Sequence, residues 1–119
     1  LQVARWLVDQ PIVSHVFHPA LPDCPGHDHW VRDWSGSASV FSFTFAEQVA
    51  PEQVVTFLNA LAIFKIGLSW GGVNSLAVVY PDLERPTQDF GGRIVRLNIG
   101  LETPEDLIND LSQAMQAVL

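Results

Sequence analysis

The most regular alternation of apolar and polar positions runs over residues 94–99, framed by Gly91-Gly92 on one side and Gly100 on the other. Val95, Leu97 and Ile99 fall on one face of a strand, and Ile94, Arg96 and Asn98 on the other. The first face calls for a core. The second carries a guanidinium in an otherwise hydrophobic run, and arginine is seldom buried without a partner. Its planar fork suits a carboxylate, either an acidic side chain of the same chain or the carboxylate of a ligand.

The same reading yields the other elements. Residues 1–8 carry apolar side chains at Leu1, Ala4, Leu7 and Val8, a helix face stopped by Pro11. Residues 12–17 form a short apolar run that ends at His18-Pro19, and 20–36 read as a long connection with one helical turn near 29–33. In 39–45, Phe41, Phe43 and Phe45 face one way and Ser42 and Thr44 the other, which predicts a strand with one deeply buried face. Pro51 opens a helix to about Leu61 with Val54, Val55, Leu58 and Leu61 as its stripe. An extended stretch at 64–68, a turn at Ser69-Trp70-Gly71-Gly72, a strand at 75–80 and a polar loop over 81–92 follow. Thr103 caps a final helix with Pro104 at its first position and Leu107, Ile108, Leu111, Met115 and Val118 as its stripe. These elements predict an α+β two-layer sandwich, a mainly antiparallel sheet with helices on one face. The opposite face, with Arg96, is left to cover another domain or a site.

Composition narrows the classes. The 119 residues suffice for one domain with a core, and 48% apolar with 16% charged residues describe a globular chain. A formal charge of −7 argues against nucleic acid and anionic membranes as partners. The lone Cys24 excludes an internal disulfide framework and fits a reducing compartment. The apolar run 61–80 has the length of a membrane span, but Lys65, Gly71-Gly72, Asn74 and Ser75 break it into two buried elements and a turn. The chain opens on Leu1 within a helical pattern, without an initiator Met or leader, as a piece of something longer would.

Candidate chemistry is sparse. His15, His18, Cys24, His27 and His29 are zinc-type ligands, but their spacing lacks paired cysteines and is broken by prolines, so ordinary loop histidines are the competing reading. Lys65, the sole lysine, is the one candidate for a Schiff base, yet no polar neighbour tunes it. Asp23, Asp28, Asp33, Glu102, Glu105 and Asp106 form no acid–base pair, and capping or solvation accounts for them. Trp70 beside two glycines is an unusual site for a core aromatic and leaves packing and ligand contact both open.

Taken in order, several segments resemble the C-terminal domain of the Cys/Met-metabolism pyridoxal-phosphate (PLP) enzymes, most closely the cystathionine β-lyase branch. The main ones are Phe64-Lys65-Ile66-Gly67-Leu68-Ser69-Trp70-Gly71-Gly72-Val73-Asn74-Ser75-Leu76 and Gly92-Arg93-Ile94-Val95-Arg96-Leu97-Asn98-Ile99-Gly100-Leu101-Glu102. His18-Pro19-Ala20-Leu21-Pro22, Gly26-His27, Arg32-Asp33, Gly36-Ser37 before Phe41-Ser42-Phe43, and Glu105-Asp106-Leu107-Ile108 extend the likeness over nearly the whole chain.

The resemblance implies that residues 1–119 are the substrate-clamping small domain of a fold-type I enzyme. It matches Arg96 to the arginine that binds the substrate α-carboxylate, and Ser69 and Trp70 to the turn beside it. An aromatic at 70 points to the β-lyase branch, whereas γ-synthases and γ-lyases usually carry an aliphatic residue. Asn74 departs from the family's common Glu. The family's Schiff-base lysine and phosphate-binding residues belong to the large domain, and Lys65 does not match the former, so the fragment alone is expected to bind no cofactor. The whole enzyme implied is a cytoplasmic homotetramer of methionine biosynthesis that converts L-cystathionine to homocysteine, pyruvate and ammonia, with PLP as electron sink. Alternatives are a γ-synthase or γ-lyase, a freestanding module for small carboxylates, and a metal-binding loop domain.

Overall fold

A computed structural model of the chain describes residues 1–83, 85 and 88–119. Three positions of the expected 81–92 loop therefore lie outside the described residues. Among the described residues, four helices and five strands follow in the order α1 (Gln2–Val8), β1 (Val13–Phe17), α2 (His27–Asp33), β2 (Val40–Phe45), α3 (Pro51–Ala60), β3 (Lys65–Ile66), β4 (Leu76–Val79), β5 (Ile94–Asn98) and α4 (Pro104–Gln116). The sheet order is β1-β2-β5-β4-β3, antiparallel except for the parallel β3–β4 pair at one edge. The α+β class and the mainly antiparallel sheet are those expected. A parallel pair cannot close through a tight hairpin. Residues 67–75 must carry the chain back from the end of β3 to the start of β4, and that return builds the candidate site.

The core lies between the sheet and α1, α3 and α4. Phe41, Phe43 and Phe45 of β2, Ala77 of β4, and Val95 and Leu97 of β5 meet Val54, Phe57 and Leu58 of α3, Leu107, Leu111 and Met115 of α4, and Leu7 of α1. Phe43, Phe45 and Phe57 pack edge to face, with centroids 5.1–6.2 Å apart. Two stripes differ from expectation by one step. In α3, Phe57 is buried and Val55 is exposed, because positions 54, 57 and 58 share a face while 55 is turned about 100° from 54. In α1, Val3, Ala4 and Leu7 face the core, while Leu1 and Val8 point outward.

The termini of the long helices follow their chemistry. Thr103 Oγ1 accepts from Asp106 N–H at 3.3 Å. Gln53 Oε1 accepts from Ala50 N–H at 2.8 Å, and Gln53 Nε2 donates to the Val118 carbonyl at 2.9 Å, tying the start of α3 to the end of α4.

Further departures concern the 61–80 run and the histidines. β3 is not a buried element: Lys65 and Ile66 are both exposed on a two-residue edge strand. Among the described residues no helix is long and apolar enough to cross a membrane. His18 is no ordinary loop histidine. It is buried, its Nδ1 accepts from Ala20 N–H at 3.2 Å, its ring packs on Phe41, and burial pushes its imidazole below the ordinary value. Among the described residues no group of three or more His, Cys, Asp or Glu side chains is placed to hold a metal ion.

Candidate functional site

The site grows from the centre of the sheet. Register sets Arg96 of β5 between Ser42 of β2 and Val78 of β4, so its side chain leaves the sheet on the face away from Val95 and Leu97. Its guanidinium carbon lies 5.3 Å from the centre of the Trp70 ring and 5.5 Å from that of Tyr80. Two aromatic rings thus lie within cation–π reach of the guanidinium, each contact worth about 0.5–1 kcal/mol where exposed and more where desolvated. Nη2 also donates to the Leu68 carbonyl.

No carboxylate of the described residues comes within ion-pair distance of Arg96; the ion pair they contain is Arg32–Asp33 on the surface. The two rings and one carbonyl hold the guanidinium while leaving most of its five N–H donors uncommitted to an anion. Arg96 is therefore oriented without being neutralised, a geometry suited to an incoming carboxylate.

Trp70 does not pack in the core: it is 64% exposed. It stands on the return loop with Ser69, which is also exposed, and Gly71, whose φ of +74° suits glycine. The structure thus brings Arg96, Ser69 and Trp70 to one side of the sheet. Lys65 stands apart, exposed on the edge strand.

Several residues that fix the loop escaped the sequence reading. Asn98 shares Arg96's face but is only 1% exposed, so that face is not simply open. Its Oδ1 accepts from Ser39 Oγ at 2.9 Å and from Gly71 N–H at 2.8 Å, and its Nδ2 donates to the Asn74 carbonyl at 3.1 Å. Ile94 and Thr44, directly paired across β5 and β2, are also buried on that side.

At the loop's exit, Glu102 is more than a solvated charge. Its carboxylate accepts from Ser75 N–H at 3.0 Å and Ser75 Oγ at 2.8 Å, and Ser75 Oγ in turn accepts from Gly100 N–H at 2.9 Å. Burial alone would raise the Glu102 carboxyl; the Ser75 N–H, its own N–H and the Ser75 hydroxyl outweigh it and hold the group below the usual range. Gly100 is required by space, since a Cβ there would overlap the Val73 carbonyl oxygen and crowd Glu102 Oε1. A polar residue inside an apolar strand was the one available signal for Asn98; Tyr80 gave none beyond closing a strand.

The family model for Cys/Met metabolism PLP-dependent enzymes matches residues 1–116. Cystathionine beta-lyases of Haemophilus influenzae and Bordetella avium are 38% and 44% identical to the chain, over 99% and 97% of its length and 31% and 30% of theirs. The chain thus spans about a third of the length of these relatives. Among solved structures, an apo methionine gamma lyase from Micromonospora echinospora superposes with a TM-score of 0.78 and 32% identity, over 95% of this chain and 30% of that one.

Proposed function

The chain belongs to the Cys/Met metabolism PLP-dependent enzyme family, and from that premise we propose that it is the C-terminal, substrate-clamping domain of a cystathionine β-lyase. The observation that carries the proposal is the guanidinium of Arg96, in contact with the Trp70 and Tyr80 rings and without a carboxylate partner among the described residues. Arg96 would bind the substrate α-carboxylate, and Ser69 and Trp70 would line the pocket beside it. Fixing the carboxylate fixes the orientation of the Cα–H bond, which is the domain's contribution to the rate.

The family's cofactor does not fit the residues present here. Lys65 is exposed on an edge strand, far in character from a tuned, enclosed amine. PLP would be held by the other two thirds of such an enzyme, in its large domain, and this chain would meet the substrate rather than the cofactor. A cytoplasmic homotetramer acting in methionine biosynthesis is the setting we propose for the whole protein.

Product analysis of the intact enzyme tests the reading. L-cystathionine should give homocysteine, pyruvate and ammonia. Cysteine and 2-oxobutanoate would move the protein to the γ-lyase branch, the second reading favoured by the likeness to a methionine gamma lyase. Binding of small carboxylates with no cleavage of either kind would leave only a binding module.

Trp70 supplies a sharper expectation within the β-lyase reading. Exposed over the guanidinium, it borders the distal part of a long substrate more than that of a short one. Trp70→Leu should therefore lower kcat/KM for cystathionine by about tenfold more than for cysteine, since lost aromatic contact is felt only by the substrate that reaches it. Equal proportional losses for both substrates would show that Trp70 only shapes the arginine.

A further inference from the structure

We infer that Asn98 is the positioning residue of the carboxylate site: its buried carboxamide sets where the Trp70 turn stands against the Arg96 guanidinium. This rests on the carboxylate-site reading above and adds to it a residue that never touches the substrate.

The amide's orientation is fixed by its partners. Gly71 N–H can only donate and the Asn74 carbonyl can only accept, so the oxygen must face the first and the nitrogen the second. The Ser39 hydroxyl fills the remaining oxygen lone pair. All of this takes place at a residue 1% exposed, in a strand whose neighbours Val95 and Leu97 are fully buried. An amide is poorly placed in such a strand on propensity alone, and burying it is tolerated only when its polar atoms are paired.

What those bonds hold is specific. The Gly71 N–H belongs to the same planar peptide unit as the Trp70 carbonyl, so the bond to Asn98 fixes the plane from which the Trp70 side chain departs. The second bond, to Asn74, holds the far side of the same turn. Asn98 lies two residues beyond Arg96 on one strand face, so a single rigid strand carries both the cation and the clamp of the ring that covers it. Strand-borne partners of this kind are held more exactly than partners on two loops.

The test is a double-mutant cycle in the intact PLP-loaded enzyme, with Asn98→Ala and Trp70→Ala assayed on L-cystathionine beside Arg96→Lys. Asn98→Ala should raise KM about tenfold, from two lost hydrogen bonds to the turn, with a smaller change in kcat and an unaltered cofactor spectrum. In the Trp70→Ala background the same change should have little further effect, because Asn98 acts through that ring. Additive losses, or a fall in kcat with KM unchanged, would overturn the inference and leave Asn98 a fold residue. Should Asn98→Ala fail to fold, Asn98→Ser, which keeps a polar group too short to span to the turn, takes its place; failure of both to fold equally overturns it. A near-normal Arg96→Lys would sink the carboxylate site and this inference together, whereas a damaged Arg96→Lys beside an additive cycle would sink the inference alone.

Discussion

Arg96→Lys is expected to lower kcat/KM of the intact enzyme nearly as far as Arg96→Ala, by about ten- to a hundredfold, although lysine keeps the charge. Geometry separates the two cations. The guanidinium lies within cation–π reach of the Trp70 and Tyr80 rings and donates to the Leu68 carbonyl through Nη2, and its remaining N–H groups form the planar fork that two parallel bonds to a carboxylate require. An ammonium is a compact point charge on a flexible stem and has no plane to stack. Losing one arm of a charge-assisted pair removes about 1.5–3 kcal/mol, and poorer alignment of Cα–H adds to the loss. Neither substitution touches the core face, where Val95 and Leu97 sit, so melting temperature should fall only modestly. Cofactor absorbance should stay that of the wild type. Steady-state kinetics, a cofactor spectrum and a melting curve for each variant make the comparison. Near-normal catalysis in Arg96→Lys, or unfolding of both variants, would reduce Arg96 to a residue of the fold.

Arg96 was legible because a strand's period is two, and six residues of alternation suffice to assign its face. Phe41, Phe43 and Phe45 were legible for the same reason. Helical stripes are coarser: apolar neighbours such as Val54 and Val55 differ by about 100° of rotation, and which of them faces the sheet is decided by packing with Phe43 and Phe45 rather than by local pattern. The turn itself was legible, but the contacts that hold it were not. Asn98 was placed on the correct face, yet its partners Ser39, Gly71 and Asn74 lie 59, 27 and 24 positions away in the chain. Only the sheet order brings them together. Glu102 looked like a solvated helix-start charge because nothing local shows that Ser75 will donate to it twice. Tyr80 meets Arg96 only because β4 and β5 are paired with Val78 opposite Arg96. A resemblance in sequence pointed to Arg96 and the Ser69-Trp70 turn; the supports beneath them are a matter of tertiary placement.

Asp110→Ala is expected to speed hydrogen exchange at the backbone amides of residues 62–64 by about a hundredfold or more, the equivalent of roughly 3 kcal/mol of local stability. Asp110 sits on α4 among core residues and is only 4% exposed. Its carboxylate accepts from the N–H groups of Ala62 at 2.8 Å, Ile63 at 2.8 Å and Phe64 at 3.0 Å, and Gln113 Nε2 donates to it at 3.0 Å. One side chain thus holds the turn between α3 and β3 and seats the buried ring of Phe64 at the root of the return loop. Burial alone would raise this carboxyl, but the amides of Ala62, Phe64 and Ile63 and the Gln113 side chain together hold it below the ordinary range. The sign of the pH dependence follows. Where the unfolded carboxyl has taken its proton and the folded one has not, the unfolded state binds more protons, so stability falls as pH falls. The contribution is complete above the unfolded value of about 3.9 and disappears as pH drops through the lower folded value. Protection of amides 62–64 in the wild type should therefore weaken selectively on acidification. Asp110→Asn, which keeps the shape but not the charge, should show lower protection at neutral pH and lose this acid-dependent step. Wild-type exchange rates at residues 62–64 in Asp110→Ala would show that the turn is held by Phe64 packing and not by the carboxylate.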